Sequence, residues 1–325
     1  MHMRWSFVVV GFMALVVPLD SALAQTYPTG PITFVAPFPA GGSLDVVMRA
    51  MAPLLQKSFN KPVIIENRTG AGGVIATTRV VKASPDGETL LAAASSLATN
   101  QKLSKSLPYD TLKDLQAVSL VFRTPIMLVA TPSLNAKSIE ELVALLKRKP
   151  GQINFAHGGI GAANHLAAEL FQTTTGTKMT GIGYRGVQAA MSDLLEGRVH
   201  LMFADVGAVI EQVKAGALRP LAIASAARVP ALPKVPTIAE TGVPGFEAEG
   251  WTLICAPSAT PKSIINVLSA ELAAAAKAPE VQAIILRLGA VPVDSPSPEE
   301  LQKFLELEIK RWGNVIDMAG LAGTQ

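Results

Sequence analysis

Apolar residues along this chain change their spacing repeatedly, and that rhythm predicts alternating strands and helices. Ile32 to Ala36 is a short apolar run stopped by Pro37, the pattern of a buried strand. Leu44, Val47, Met48, Met51 and Leu55 then recur at helical spacing and mark one face of a helix. A glycine-rich loop, Pro39 to Ser43, lies between the two. A second strand is predicted over Pro62 to Glu66 and a third over Thr89 to Ala94. Between these, Gly70 to Gly73 opens a helix running toward Lys82, and Pro85-Asp86-Gly87 makes a turn. Two separate strands are predicted over Ala117–Val121 and Ile126–Ala130. Ser138 caps the next helix with Glu141 at the capping-box position, and Ile139, Leu142, Val143 and Leu146 form its inner face.

The opening theme then returns. Ile153 to Ala156 is a strand, His157-Gly158-Gly159-Ile160-Gly161 a glycine-rich loop, and Asn164 an N-cap for a helix with Leu166, Ala167, Leu170 and Phe171 inward. Such alternation means an α/β protein with largely parallel sheets. Two copies of strand, loop and helix this far apart suggest two similar lobes. Thr124-Pro125 and Gly250-Trp251 are the stretches able to carry the chain between them. The expected division is a discontinuous first lobe, 26–124 plus 251–325, and a second lobe, 125–250.

The first residues change the picture. Arg4, the apolar run Phe7 to Val17, and Ala22-Leu23-Ala24 have the order of a secretory signal, so 1–24 is expected to be removed before Gln25 and the mature chain to be periplasmic. The chain has 325 residues, 49% hydrophobic and 16% charged, and no later apolar run long enough to cross a membrane. Cleavage removes one basic and one acidic residue, Arg4 and Asp20, so the net charge stays at +3. That suits anionic ligands and is too weak, without a basic stripe, to argue for nucleic acid. The single cysteine, Cys255, excludes an internal disulfide and reads as a buried inert thiol. Nothing in the pattern signals an oligomer, and a monomer is expected.

Each glycine-rich loop leads straight into a helix start, where the first N–H groups have no internal partner and the macrodipole is positive. Glycine lets a ligand approach that backbone closely. Two such starts facing each other could grip one carboxylate without any Arg or Lys. Taken alone, each loop fits a tight turn better than a site; the duplication shifts the balance toward a site. Enzyme signatures are mostly missing. Gly159 and Gly161 match only the first part of a dinucleotide fingerprint, and Gly42-Ser43-Leu44-Asp45 lacks the closing glycine of a nucleophile elbow. His157 and His165 lie eight apart without zinc spacing, so no metal, cofactor or catalytic residue is expected. A Ser43–His157–Asp45 triad can be drawn on paper only. Asp45 suits a first helical turn, an ordered loop or a ligand amine. Phe38 fits either core or a lid, and Ser95 and Ser96 either a turn or hydroxyl donors. Asp205 ends an apolar strand, where a carboxylate is surprising beside an anion site; it suits a water or a polar ligand group. Asn67-Arg68-Thr69 fits a glycosylation triplet of a kind common by chance.

These residues also carry a family resemblance. Val35-Ala-Pro-Phe-Pro-Ala-Gly-Gly-Ser-Leu-Asp45, Glu66-Asn-Arg-Thr-Gly-Ala-Gly-Gly73, Ser84-Pro-Asp-Gly87 and Leu107-Pro-Tyr-Asp110 occur in order. Gly161-Ala-Ala-Asn-His-Leu-Ala-Ala-Glu169, Tyr184-Arg-Gly186, Asp193-Leu-Leu-Glu-Gly197 and Val235-Pro-Thr-Ile-Ala-Glu240 follow. Together they resemble the Bug-type (TctC-like) extracytoplasmic solute receptors of tripartite tricarboxylate transporters. The resemblance implies a two-lobed periplasmic binding protein-like fold (type II) whose lobes close over a small carboxylate, with integral membrane transporter subunits as partners. It places Phe38, Gly41, Gly42, Ser43 and Asp45 on one side of the ligand, and His157, Gly158, Gly159, Ala162 and Asn164 on the other. Ser95, Ser96 and Asp205 would line the distal pocket. The family's second-lobe loop is often serine-rich; here it is not, so main-chain N–H groups are expected to supply more of the grip, and His157 a pH-sensitive contact. A ligand-sensing subunit for a signalling partner is an alternative role, and an exported hydrolase or isomerase using Asp45, His157 or Ser43 a more distant one.

Overall fold

The structure, a computed structural model, describes residues 27–184 and 187–325. The expected signal segment with its cleavage point before Gln25 lies outside the described residues, as do Arg185 and Gly186. The strands are β1 Ile32–Ala36, β2 Val63–Asn67, β3 Thr89–Ala94, β4 Leu115–Ala130, β5 Asn154–His157, β6 Thr180–Gly183, β7 Leu201–Asp205, β8 Arg219–Ile223, β9 Glu249–Pro257 and β10 Val291–Pro292. The helices are α1 Ser43–Phe59, α2 Val74–Val81, α3 Ser96–Leu103, α4 Thr111–Asp114, α5 Ile139–Arg148, α6 Ala163–Thr175, α7 Val187–Leu195, α8 Val206–Lys214, α9 Lys262–Ala276, α10 Pro279–Arg287 and α11 Pro298–Met318. It is a mixed α/β architecture, as the alternation predicts.

The strands follow the order β2-β1-β3-β9-β4-β7-β5-β6, with β8 and β10 also pairing β4. Strand β1 runs parallel to β2 and β3, and β5 runs parallel to β6 and β7. Two parallel trios are thus joined through the antiparallel strands β9 and β4. One expectation is corrected here. Ala117–Val121 and Ile126–Ala130 are not separate strands but parts of β4, which runs unbroken through Thr124 and Pro125. Its first part pairs β9, out to Pro125 opposite Glu249; its last part, from Ile126, pairs β7 and β8. Proline is tolerated there because the partners change at that point. Thr124 stands opposite Gly250, so the two stretches expected to carry the chain across lie side by side.

Both faces of the inner strands β1, β3 and β7 are covered, which is why they are mainly apolar, while the outer strands β2 and β6 are half-buried and exposed. Phe34 of β1 and Ile254 of β9 pack with Met48 of α1, Leu268 of α9 and Ile285 of α10. Val35 and Leu253 point the other way, to Val80 of α2 and Leu301 and Leu305 of α11. Likewise Met127 and Met202 face Val209 of α8, while Ile126, Leu128 and Phe203 face Leu166 and Phe171 of α6. Helix α11 belongs to both: its start joins the first group, and its end, with Trp312, Val315 and Ile316, joins the second. No described helix is long and apolar enough to cross a membrane.

A single carboxylate organises that bridging helix. Glu308 is 6% exposed and accepts from the indoles of Trp251 at 2.9 Å and Trp312 at 3.2 Å, with Arg311 beside it at 3.0 Å. Glu308→Leu strands two buried indole N–H groups, so it should lower unfolding free energy by about 2–4 kcal/mol. Glu308→Gln keeps one acceptor oxygen and should lose less. Urea unfolding of both variants checks this, and a Leu variant as stable as the parent would refute it.

Candidate functional site

In a parallel βα unit, the helix that follows a strand begins at that strand's C-terminal edge. Here β1, β3, β5 and β7 lead into α1, α3, α6 and α8, so four helix starts gather along one edge. A cavity of about 440 Å³ opens there, lined by Phe38, Pro39, Ala40, Gly42, Ser43 and Leu44 from the first loop and by Ala94 and Ser95 after β3. Phe122, Thr124, Gly250, Trp251 and Thr252 form part of its wall, and Ala163 and Asp205 close it from the second half. A further space of about 300 Å³ shares Phe38, Ala94, Ser95 and Ala163 with it and continues past Ser96, Gly158, Gly159 and Ala162. The two volumes form one crevice of the size small ligands occupy.

The helix starts are bare. Neither Gly42, before α1, nor Ala162, before α6, caps its helix with a side chain. The first intrahelical bonds are those of Val46 to Gly42 and Leu166 to Ala162, so among the described residues the N–H groups of Ser43, Leu44, Ala163 and Asn164 have no protein acceptor. Gly41 at φ 89° and Gly159 at φ 128° give both loops a backbone other residues rarely adopt. A side chain at either would meet open space, so the conformation and not crowding selects glycine.

Asp45 supports the first loop from beneath. It is 2% exposed and accepts from Gly41 N at 2.9 Å, Asn67 Nδ2 at 2.9 Å and Arg49 Nε at 3.0 Å. Burial works to raise its pKa, but the bonds from Arg49, Gly41 and Asn67 together prevail and hold the carboxyl below its ordinary value. Of the roles Asp45 could fill, loop-ordering is the one its contacts describe. Asn67 was missed: besides Asp45, its amide also donates to the Phe38 carbonyl at 3.0 Å. Its local triplet gave no sign of this, since strand β2 brings it to β1 only on folding.

The second loop is built differently from expectation. Asn164 is not the N-cap; the helix begins at Ala163, and Asn164 Oδ1 accepts from Gly158 N at 3.2 Å. His157 Nδ1 accepts from Gly159 N at 3.2 Å, and His165 Nδ1 from Gly161 N at 3.1 Å. The loop's own N–H groups are therefore largely engaged, and the bare ones belong to the helix start. The two imidazoles, eight residues apart in sequence, lie with centroids 4.3 Å apart against Phe155. Burial lowers the pKa of both; for His165, burial and then the neighbouring His157 bring it to about 4. Both rings are neutral, with Nε2 carrying the proton.

Thus Phe38, Gly42, Ser43, Ser95, Ser96, Gly158, Gly159, Ala162 and Asp205 line the crevice, while Gly41, Asp45, His157 and Asn164 stand behind it as supports. Phe38 is 39% exposed and touches both volumes, a lid position and not a core one. The paper triad does not assemble: Asp45 holds Gly41, Arg49 and Asn67, and His157 turns its Nδ1 to Gly159. Thr124, Gly250, Trp251 and Thr252 were not anticipated as lining residues. Among the described residues no group of three or more His, Cys, Asp or Glu is arranged to hold a metal ion. Cys255 is fully buried, which pushes its thiol up to about 12.

Comparison with known proteins adds to this geometry. The profile of the tripartite tricarboxylate transporter family receptor (TctC) matches residues 47–321. Protein BugT of Bordetella pertussis is 40% identical over 323 residues, 98% of this chain and 99% of its own. The R. palustris protein Rpa4515, solved with adipate, is 35% identical with a TM-score of 0.78, over 91% of this chain and 99% of that one. The periplasmic binding protein BugD is 33% identical with a TM-score of 0.75, over the same shares. The fold is that of the two-lobed periplasmic binding proteins.

The histidine pair makes a pH prediction. His165 has its pKa lowered on folding, so the unfolded chain takes up its proton first and acid favours unfolding. Stability should fall as pH drops below about 6.5 and continue to fall until about 4. The contribution lost by about pH 5 is about 2 kcal/mol. His165→Asn offers an oxygen to Gly161 N without titrating, so the loss of unfolding free energy between about pH 7.5 and about pH 5 should shrink by roughly that amount. Denaturant unfolding at both pH values measures it; an unchanged difference would show the pair to be silent.

Proposed function

This chain belongs to the tripartite tricarboxylate transporter receptor family, and from that premise we propose that it captures a small carboxylate in the crevice and hands it to membrane subunits of such a transporter. The observation that carries the reading is that the bare starts of α1 and α6 line the same cavity: Ser43 and Leu44 on one side, Ala163 on the other. One carboxylate held between them completes N–H groups that otherwise face water. Each such bond to a charged group contributes roughly 1.5–3 kcal/mol. Three or four, less the cost of association, reach micromolar affinity, about −8 kcal/mol. Ser95 and Ser96 add hydroxyls and Phe38 covers the ligand.

The proposed lobes are 26–124 plus 251–325 and 125–250. The adjacency of Thr124 and Gly250 supports a hinge there, since two strands bending at one level let the halves close. The chain acts as an exported monomer without catalysis, after removal of 1–24. Its structural relative BugD is periplasmic, and the engagement of Asp45, His157 and His165 by N–H groups of the two loops supports binding over turnover.

Protein refolded from denaturant, and so free of carried-over ligand, should gain stability from its carboxylate, about 2.7 kcal/mol at about 100 times Kd. A thermal-shift panel of carboxylates, followed by calorimetry, tests this; silence across the panel in both would defeat the reading. Ala163→Asp places a negative charge at the bare start of α6. It should weaken carboxylate binding by about ten-fold or more while leaving the unliganded melting temperature unchanged, because acids suit a helix start. Unchanged affinity in that variant would mean α6 does not contribute to the grip.

A further inference from the structure

The crevice does not treat the two ends of a ligand alike. Among the described residues lining it, none is Lys, Arg or His. The one charged side chain among the described lining residues is that of Asp205. It ends β7, between β5, which carries the second loop, and β4, which carries Thr124. It is the residue before α8, where an aspartate ordinarily accepts from its own helix. Here the side chain makes no such cap, and among the described residues it has no hydrogen-bond or ion-pair partner. Its carboxylate is therefore presented to the cavity. Around it the walls are apolar, with Phe122, Trp251 and Leu44, relieved by the hydroxyl residues Thr124 and Thr252.

An unpartnered carboxylate in such a place acts on a ligand through its charge and its acceptor oxygens. It accepts a hydrogen bond from an amino or hydroxyl group and repels a second negative charge, which no cationic side chain in the described lining would neutralise. Resting on the carboxylate reading above, we propose that Asp205 is the specificity-determining residue of the crevice. It admits a small carboxylate whose other end carries a hydrogen-bond donor, and it turns dicarboxylates away. Asp205 is exposed at the wall of the crevice. The protein packed around it disfavours the charged form and pushes its carboxyl up to about 6. At neutral pH it is still charged, so repulsion of a second carboxylate operates under the conditions in which the receptor would work.

The test compares ligands of one skeleton that differ only at the far end. Calorimetry on the refolded full chain would use adipate, 6-hydroxyhexanoate and 6-aminohexanoate, then succinate, 4-hydroxybutyrate and 4-aminobutyrate. Within the series that binds, the donor-ended acids should bind about ten-fold or more tightly than the dicarboxylate. Asp205→Asn keeps the shape and removes the charge. It should raise affinity for the dicarboxylate relative to the amino acid by about ten-fold, with the unliganded melting temperature as the check on folding. A wild-type protein that binds adipate or succinate as tightly as the donor-ended acids overturns the proposal and leaves carboxylate capture standing. So does a preference that Asp205→Asn does not change. Silence of both series in both proteins would sink carboxylate capture itself, and this proposal with it.

Discussion

A helix start whose N–H groups have no acceptor is a standing electrostatic demand, and this molecule places two of them across one crevice. Folding could have met that demand with a capping serine or aspartate, as Ser297 does for α11 through its capping box. Instead the residues before α1 and α6 are Gly42 and Ala162, which offer nothing. The demand is left for a solute. Everything nearby serves to keep the two starts bare and in place: the Asp45–Arg49–Asn67 cluster under the first loop, and the Asn164, His157 and His165 acceptors under the second. Asp45, Asn164, His157 and His165 are buried, so they hold the loops without competing for the ligand.

The parallel trios explain why the starts meet. Each βα unit sets its helix start at the same edge of the sheet, and the antiparallel pair β9 and β4 turns the two edges toward one another. Strand β4 serves both trios, so no loop separates them at that point. Helix α11 adds a third connection, packed at its start with one group of apolar residues and at its end with another. With the proposed hinge at Thr124 and Gly250, the crevice would change width by bending while the strand ladder stays paired on both sides.

Much of this was legible in the residue pattern. Strands β1 and β3 fall where apolar runs end at Pro37 and begin after Gly87, and Leu44, Val47, Met48, Met51 and Leu55 are all buried on α1. Period and turn chemistry are local, so they can be read locally. The duplication of strand, glycine loop and helix pointed to two opposed loops for the same reason. What escaped was non-local. Ala117–Val121 and Ile126–Ala130 read as two strands, yet the missing N–H of Pro125 between them is harmless where β4 changes partners. Asn164 looked like a cap by residue type, but its oxygen is taken by Gly158 N, six residues back. His157 and His165 looked independent at a spacing of eight, and the return of the chain from β5 into α6 stacks them.

By itself, then, the sequence determined the α/β alternation, the glycine positions that free the loops, the lack of lysine or arginine in them, and the family. Only the tertiary structure decided which residues behind the loops hold them, that Thr124, Gly250, Trp251 and Thr252 complete the wall, and that Asp205 turns from its own helix into the crevice. The physical reason is range. Backbone preferences and apolar period act over a few residues, whereas hydrogen-bond partners and the walls of a cavity are brought together from distant segments by strand pairing.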